Sequence, residues 1–447
     1  MTYHVGYRGC QHLGYAARNM RMHNDTGWNL RVVDGHVAHE LTMRDMLAAG
    51  VSGVFDGGDI AHWSQPENRD INHMRVVDDL RVEAVGPDGW APWYRGNTGN
   101  HDVGAVSAIS AASALHRPAL EAQVVYPGNQ STAGPLPGLY EVHQPDPTVP
   151  LYLHVVSHNG LLAGQGVNPE PIAGGVNLLS AHGIFTGDPR QRDMLESHGE
   201  QRVVPTSWVD RGWDAVLLSD LHTLGPVPGY GPADQERGQV WYTGSAVRRG
   251  FSDAVGPRGW LLVTLHDDGT VAITARPVWQ RPQHELPVIN AVGLTTAEVD
   301  EQVTAHLAAS SWWDPVSAEL TGDGGYILRQ RITGVSPSLR RSLNGSTGRW
   351  ADLAKGSGLG AAWWDVPIES AVTATSASST GQRTVTNRIS DFSSDLADRV
   401  SGTGKVAALV AGIAPQDRDD VISAARAYLS DASQPAGDSA DPAAVAA

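Results

Sequence analysis

The chain has 447 residues, a formal net charge of −16 and a single cysteine. That length is enough for two or three domains, and one cysteine excludes both an internal disulfide and a cysteine-rich zinc cluster. The negative charge argues against a nucleic-acid footprint over the whole surface, so any such binding must be local or shared with a partner. The sequence has no apolar run of about 18 residues or more and does not open like a signal peptide, which predicts a cytoplasmic protein without a membrane span.

The N-terminal part alternates between strand and helix patterns, as parallel βαβ units do. Strands are predicted over residues 4–10, 51–55 and 90–94, and helices over residues 30–49 and 71–85. Each of these strands leads into a pair of polar residues: Cys10 and His12, Asp59 and His62, and Asn100 and His101. Because ligand sites of open α/β sheets form at the carboxyl ends of strands, the three pairs are expected to meet in space.

Further strands in the middle of the chain also lead to histidines. Strands predicted over residues 151–158 and 176–183 carry His158 and His182 near their ends, and a third, over residues 213–222, ends in Asp220-Leu221-His222. A polar insertion at residues 186–205 is predicted to form a loop with one helical turn. More side chains that can bind a metal are therefore expected at the same edge.

The pattern changes after a predicted hairpin turn at Asp267-Asp268-Gly269, which closes the first domain. We predict five segments: a main domain at 1–286, a small α+β cap domain at 287–369, a Ser/Thr-rich linker at 370–388, a helical partner-binding module at 389–432 and a disordered tail at 433–447. Within the cap, a strand is predicted over residues 325–332, with two arginines on one face.

The polar motifs, taken in order, resemble those of the calcineurin-like metallophosphoesterases. That family carries D-x-H, G-D-x-x-D/H, G-N-H-D/E, a lone histidine and G-H-x-H, each at a strand end. The corresponding segments here are Cys10-Gln11-His12, Gly58-Asp59-Ile60-Ala61-His62, Gly99-Asn100-His101-Asp102, His182 and Ser219-Asp220-Leu221-His222. Within the superfamily, Gly57-Gly58-Asp59 and Tyr242-Thr243-Gly244-Ser245 look like the SbcD branch, the nuclease subunits of DNA double-strand-break repair complexes. The resemblance covers residues 4–280.

The resemblance implies a fold and a function together. The expected fold is a four-layer α/β metallophosphoesterase β-sandwich flanked by helices, with the cap domain and C-terminal helices added. The expected activity is metal-dependent phosphodiester hydrolysis of DNA, as an exonuclease or endonuclease of a DNA-end processing complex. The implied partners are DNA and an SbcC-like coiled-coil ATPase, with a homodimer as one assembly.

Phosphodiester hydrolysis at neutral pH needs charge neutralisation and a hydroxide, which two metals about 3.5–4 Å apart supply. The resemblance implies that Asp59 bridges the two metals and a hydroxide lies between them. The remaining implied ligands are Cys10, His12 and His222 on one metal, and Asn100, His182 and Asp220 on the other. His158 stays an alternative to His182, because it also follows a strand.

Three more residues have expected roles in the chemistry. His101 is expected to face the scissile phosphate as an acid or transition-state donor, with His62 as its helper. Asp102 is expected to orient His101 by accepting its second N–H group. Arg248 and Arg249 are candidate contacts to a DNA backbone, although an arginine pair is also common on a solvated face.

Two predicted ligands depart from the family pattern, because Cys10 replaces an aspartate and Asp220 replaces a histidine. The family site suits Mn²⁺, whereas a thiolate suits Zn²⁺ or Fe²⁺, so Mn²⁺ is expected first and the softer metals second. Cys10 can also be read as a buried packing residue. Two other functions stay open: a metallophosphoesterase for small phosphoesters or phosphoproteins, and a non-catalytic DNA-end scaffold with a degenerate metal site.

Overall fold

A computed structural model describes residues 2–17, 20–86, 89–102, 124–125, 136–163, 166–191, 202–231, 239–251, 253, 255–345, 349–356, 361 and 363–370. Residues Met1–Ala371 form one compact unit. The predicted linker beyond residue 370, the helical module at 389–432 and the tail at 433–447 lie outside the described residues. No helix in the described part is both long and apolar enough to cross a membrane.

Helices and strands follow one another along the whole described chain. The first part contains β1 (Tyr3–Arg8), α1 (Leu30–Ala48), β2 (Gly53–Asp56), α2 (Asn68–Glu83), β3 (Trp93–Gly96) and β4 (Val124–Val125). The middle contains β5 (Tyr140–His143), β6 (Leu151–Val156), α3 (His158–Ala163), β7 (Val176–His182), β8 (Ile184–Phe185), a 3-10 turn (Pro189–Gln191), β9 (Val203–Val204), α4 (Thr206–Val209), β10 (Ala215–Ser219), β11 (Leu224–Pro226), β12 (Val240–Thr243), β13 (Gly259–Leu265) and β14 (Val271–Pro277). The last part contains β15 (Gln283–Glu285), β16 (Ile289–Asn290), α5 (Thr296–Ala308), α6 (Pro315–Thr321), β17 (Ile327–Arg329), β18 (Ile332–Val335), α7 (Pro337–Asn344), α8 (Arg349–Gly356), β19 (Trp363–Asp365) and β20 (Ile368–Ser370). The predicted mixed α/β class is confirmed.

Two six-stranded sheets form the body of the molecule. The first has the strand order β14-β13-β1-β2-β3-β4, and the second has the order β11-β12-β10-β7-β6-β5. Strands β1, β2 and β3 are mutually parallel, and so are β6, β7, β10 and β12. The carboxyl ends of these strands therefore lie at one edge of each sheet, as the alternating sequence pattern predicts.

The two sheets pack face to face through an apolar core. Tyr7 and Phe55 of the first sheet share this core with Leu153, Leu178 and Leu217 of the second. Helices α1 and α2 cover the outer face of the first sheet through a second core, and α3 and α4 contribute to a third core on the outer face of the second sheet. Burial on both faces explains why the parallel strands read as nearly continuous apolar runs.

Helix α1 begins and ends where the sequence predicts. The Asn29 side chain accepts a hydrogen bond from the Arg31 amide over 3.1 Å, which caps the first turn. After the helix, Gly50 has a φ of 69°, a left-handed conformation that glycine adopts without a steric penalty. The helix thus directs the chain into β2, and Asp59 lies three residues beyond the end of that strand.

The region after β14 has an apolar core of its own, which includes Leu286, Val303, Leu328 and Leu343. The single strand predicted over residues 325–332 is wrong, because it divides into β17 and β18, which belong to different three-stranded sheets. Between them, the Gln330 side chain donates to the carbonyl oxygens of Pro287 and Arg331 over 2.7 and 3.0 Å. The Gln330 side chain thus supplies hydrogen bonds to backbone carbonyl oxygens where the chain passes from one sheet to the other. A strand pattern that repeats every two residues does not reveal such a break.

Candidate metal centre

The predicted ligands sit on sharp backbone turns just beyond the strand ends. Cys10 and His12 follow β1 with φ angles of 49° and 47°, Asp59 follows β2 with 56°, and Asp220 follows β10 with 96°. Left-handed backbone is costly for residues with a side chain and concentrates at functional sites. The turns aim side chains from three strands into one region, as the sequence motifs predict.

Two glycines let the loops approach one another. A Cβ on Gly99 would lie 2.1 Å from Asp59 Oδ1, and one on Gly58 would lie 2.8 Å from His182 Nδ1. Gly58 also has a φ of 99°. Any larger residue at either position would push the carboxylate and the imidazole apart, so the glycines of both motifs are required by close packing.

Cys10, His12 and His222 form the first group that can hold a metal ion, with ligand atoms all within 4.8 Å of one another. The Nε2 atoms of His12 and His222 are 3.2 Å apart. On its other side, His222 Nδ1 is 3.1 Å from Asp253 Oδ2. A carboxylate in this position fixes the ring and leaves Nε2 for a metal.

Cys10, Asp59 and His182 form a second such group, so the thiol is common to both. Asp59 Oδ2 lies 3.7 Å from His12 Nε2 and 3.2 Å from His182 Nε2. One carboxylate oxygen is thus placed between a histidine of each group. This is the position that a bridging ligand requires.

Asn100 follows Gly99 and supplies a buried oxygen beside the second group. Asn100 Oδ1 has no hydrogen-bond partner among the described residues, whereas His182 Nε2 has Asp59 Oδ2 3.2 Å away. An unpaired buried oxygen is costly, and a divalent ion would satisfy it. Asp220 Oδ1 is farther away, 3.8 Å from His182 Nε2. The donor set of the described chain therefore fits a metal ion.

The alternative histidine does not join either group. His158 follows β6, and its backbone N–H donates to the carbonyl oxygen of Thr98 over 3.2 Å. Burial, together with the charge of neighbouring His182, lowers the pKa of His158 to about 4. The structure places His182, rather than His158, against Asp59.

His62 and His101 lie beside the first group, and both can meet a common ion with His12. The His101 backbone N–H donates to Asp59 Oδ1 over 2.8 Å, and its Nδ1 lies 2.6 Å from the His62 carbonyl oxygen. A carbonyl oxygen only accepts, so Nδ1 carries the proton and Nε2 is left to accept or donate one. This arrangement is compatible with the predicted phosphate-side role of His101.

The predicted contact between Asp102 and His101 is wrong. The Asp102 carboxylate is fully buried and accepts three backbone N–H groups, from Asp59, Ile60 and Gly99, over 2.6, 3.1 and 3.0 Å. His101 instead donates from Nδ1 to the carbonyl of His62. Asp102 therefore holds together the loop that carries Asp59 and the loop that carries Gly99, because its carboxylate accepts backbone N–H groups from both.

Burial shifts the pKa values of two candidate ligands, His12 and Cys10. It lowers the pKa of His12 well below the usual value, which favours the neutral form that a metal requires. It raises the pKa of Cys10, and the charges of Asp59 and Asp220 add to this, so the thiol stays protonated until a cation binds. Metal binding should therefore release a proton.

Asp59 and His182 form an ion pair within the second group. Burial alone would raise the pKa of Asp59 and lower that of His182. The attraction between the two outweighs burial, so the pKa of Asp59 is lowered and that of His182 is raised to about 9. Without a metal, a proton on His182 thus supplies the positive charge that the carboxylate needs.

The two arginines predicted to contact DNA have different surroundings. Arg248 Nε donates to the Asp253 carbonyl oxygen over 3.2 Å, and its guanidinium lies 5.5 Å from the Phe251 ring centre. The Arg249 backbone N–H donates to Asp253 Oδ2 over 2.9 Å. Burial is the main reason that the pKa values of His12 and His62 are low, and the charge of Arg249 lowers them further. Both arginines therefore contact Asp253, which lies beside His222.

Sequence reasoning missed two residues of the site. Asp253 lies next to His222, and its only signal in the sequence is that it comes a few residues after Tyr242-Thr243-Gly244-Ser245. Arg202 Nη1 lies 3.6 Å from Asp220 Oδ1, although the sequence predicts a loop there. The short parallel pair of β8 and β9, which brings Arg202 to the site, has no recognisable pattern.

No protein-family model matches the chain, and no curated protein matches its sequence. The function proposed below therefore depends on the chemistry of the residues at the site and on the resemblance of the motifs.

Proposed function

We propose that this chain is a metal-dependent phosphodiesterase that cleaves DNA, built on the four-layer sandwich of the calcineurin-like metallophosphoesterases. The observation that carries the proposal is the position of Asp59 Oδ2, 3.7 Å from His12 Nε2 and 3.2 Å from His182 Nε2. A carboxylate between two groups of metal-binding side chains matches the requirement of two-metal phosphoester hydrolysis.

The candidate ligands are the same as those proposed from the sequence. Cys10, His12 and His222 would hold one ion, Asn100, His182 and Asp220 the other, and Asp59 both. Divalent ions in such a site neutralise phosphate charge and lower the pKa of water. Mn²⁺ remains the first choice by resemblance, and the Cys10 thiol makes Zn²⁺ or Fe²⁺ the alternative.

His101 is the residue proposed to exchange a proton during the reaction. Its backbone N–H to Asp59 and its Nδ1–H to the His62 carbonyl fix both the main chain and the ring. The ring centre of His101 lies 4.8 Å from that of His12, so Nε2 acts beside the first metal group. A proton held at Nε2 can pass to the leaving oxygen of a phosphodiester.

The choice of DNA depends on the resemblance to the SbcD branch, and so does the proposed SbcC-like ATPase partner. The net charge of −16 requires that DNA be contacted through a local basic patch or through that partner. Arg248 and Arg249, which both contact Asp253 beside His222, are the candidates for the local contact.

Hydrolysis by the Asp59→Asn variant tests this proposal. The wild-type chain, loaded in turn with Mn²⁺, Zn²⁺ and Fe²⁺, should cleave bis(p-nitrophenyl) phosphate and labelled single- and double-stranded DNA. The variant should lose about 10²-fold or more of that activity. Asp268→Asn, at an exposed hairpin turn, is the matched control and should keep full activity.

Two results would count against the proposal. A metal-loaded wild-type chain that binds DNA but cleaves none of the substrates would favour the scaffold function. Cleavage of the small diester alone, with no cleavage of DNA, would favour the small-phosphoester function.

A further inference from the structure

Arg202 is a further residue near the site that has a left-handed backbone conformation. Among the described residues, those with a side chain and a φ in the left-handed region are Cys10, His12, Asp59, Arg202, Asp220 and Trp312. Cys10, His12, Asp59 and Asp220 are candidate metal ligands, and Arg202, with a φ of 69°, approaches one of them. Arg202 therefore has the same left-handed conformation as four candidate ligands. Such strain concentrates at functional sites.

The backbone of Arg202 is fixed next to a ligand. Its carbonyl oxygen accepts the Ile184 N–H over 2.9 Å, and Ile184 follows His182 by two residues. A Cβ on Gly183 would lie 2.4 Å from the same carbonyl oxygen, so the two segments are in close contact. The strained conformation is therefore held by the chain segment that carries a ligand.

The guanidinium group of Arg202 lies beside the second metal group. Its Nη1 is 3.6 Å from Asp220 Oδ1, which in turn is 3.8 Å from His182 Nε2. The side chain is 24% exposed, so it is largely packed yet open to solvent. A cation in this place is within reach of an anion that arrives at the second group.

The contact between Arg202 and Asp220 is an ion pair without a short hydrogen bond. The separation of 3.6 Å exceeds the roughly 2.7–2.9 Å of a charge-assisted hydrogen bond. An arginine presents five N–H donors in a planar fork that matches phosphate oxygens. Asp220 also adds a negative charge that would repel a phosphate, and Arg202 offsets that charge.

We propose that Arg202 binds the phosphoryl oxygens of the substrate beside Asp220. The assignment rests on the proposed phosphoesterase function, which supplies an anionic substrate at the metal centre. Arg202 thereby makes the second metal group a phosphate-binding site despite the carboxylate of Asp220.

Binding of inorganic phosphate to the full-length, metal-loaded chain tests this assignment. Isothermal titration calorimetry would compare wild type, Arg202→Gln and Arg202→Lys, with Mn²⁺ and separately with Zn²⁺. Arg202→Gln should raise the Kd for phosphate about tenfold to a hundredfold, and Arg202→Lys should raise it less. The control is Arg211→Gln, because Arg211 donates to the carbonyl oxygens of Ser207 and Pro169 and should leave the Kd unchanged.

Metal content, measured on every variant, separates phosphate binding from support of the ligands. Equal phosphate affinity in Arg202→Gln and wild type would overturn the assignment, as would a wild-type chain that binds metal but no phosphate. Loss of metal in both Arg202 variants would show that the arginine only supports Asp220. Because the readout does not need turnover, a chain that binds phosphate through Arg202 but hydrolyses nothing would refute the proposed function alone.

Discussion

Replacement of Asp102 by alanine tests how the two loops of the site are held together. The carboxylate accepts three backbone N–H groups, from Asp59, Ile60 and Gly99, and is fully buried. Without it, three buried donors lose their acceptor at about 1–3 kcal/mol each, which predicts a loss of about 3 kcal/mol or more in the free energy of unfolding. Burial, and then the charge of Asp59, raises the pKa of Asp102 to about 7, so the measurement belongs at pH 8 where the carboxylate is charged.

The assay combines thermal unfolding with amide hydrogen exchange. The amides of Asp59, Ile60 and Gly99 should lose protection in Asp102→Ala, and metal affinity should fall with them because Asp59 is no longer positioned. Asp268→Ala is a matched control, since Asp268 also accepts a backbone N–H, from Thr270, but in an exposed turn. A variant that keeps its stability and its metal but loses turnover would refute the loop-holding role and restore the predicted contact to His101.

Three further predictions concern single residues. His101→Gln should cut turnover by about 10²-fold or more at unchanged metal content, and loss of metal together with activity would contradict its assigned role. Cys10→Asp should shift metal preference further towards Mn²⁺, whereas full activity and metal content in Cys10→Ala would show that the thiol only packs. Burial, with the charge of Arg8, lowers the pKa of His39 well below 6.5. The folded protein therefore holds His39 neutral, and stability that is present above pH 6.5 is lost as the pH falls. In thermal unfolding between pH 8 and 5, His39→Leu should lose less stability than the wild type.

The order of the motifs at strand ends predicted which side chains come together. Parallel strands bring their carboxyl ends to one edge, so residues as distant in sequence as His12 and His222 meet at 3.2 Å. This meeting follows from the strand pattern, whereas the division of the ligands between two metals is implied by the resemblance and stays a prediction.

Other features depend on three-dimensional packing and leave no pattern in the sequence. The neighbours Asp102 and His101 suggest a contact, yet the carboxylate turns to the backbone of two loops and the ring turns to His62. Arg202 lies in a polar insertion and reaches the site only through a two-residue strand pair. A strand this short has too few residues to show alternation.

Anomalous diffraction from crystals grown with Mn²⁺ is the most direct test of the central claim that Asp59 joins two groups of metal ligands. We expect one peak beside His12 and another beside His182, with the Asp59 carboxylate in contact with both, and loss of these peaks in Asp59→Asn. Strong metal peaks elsewhere in the chain, with none at the Asp59 carboxylate, would contradict it.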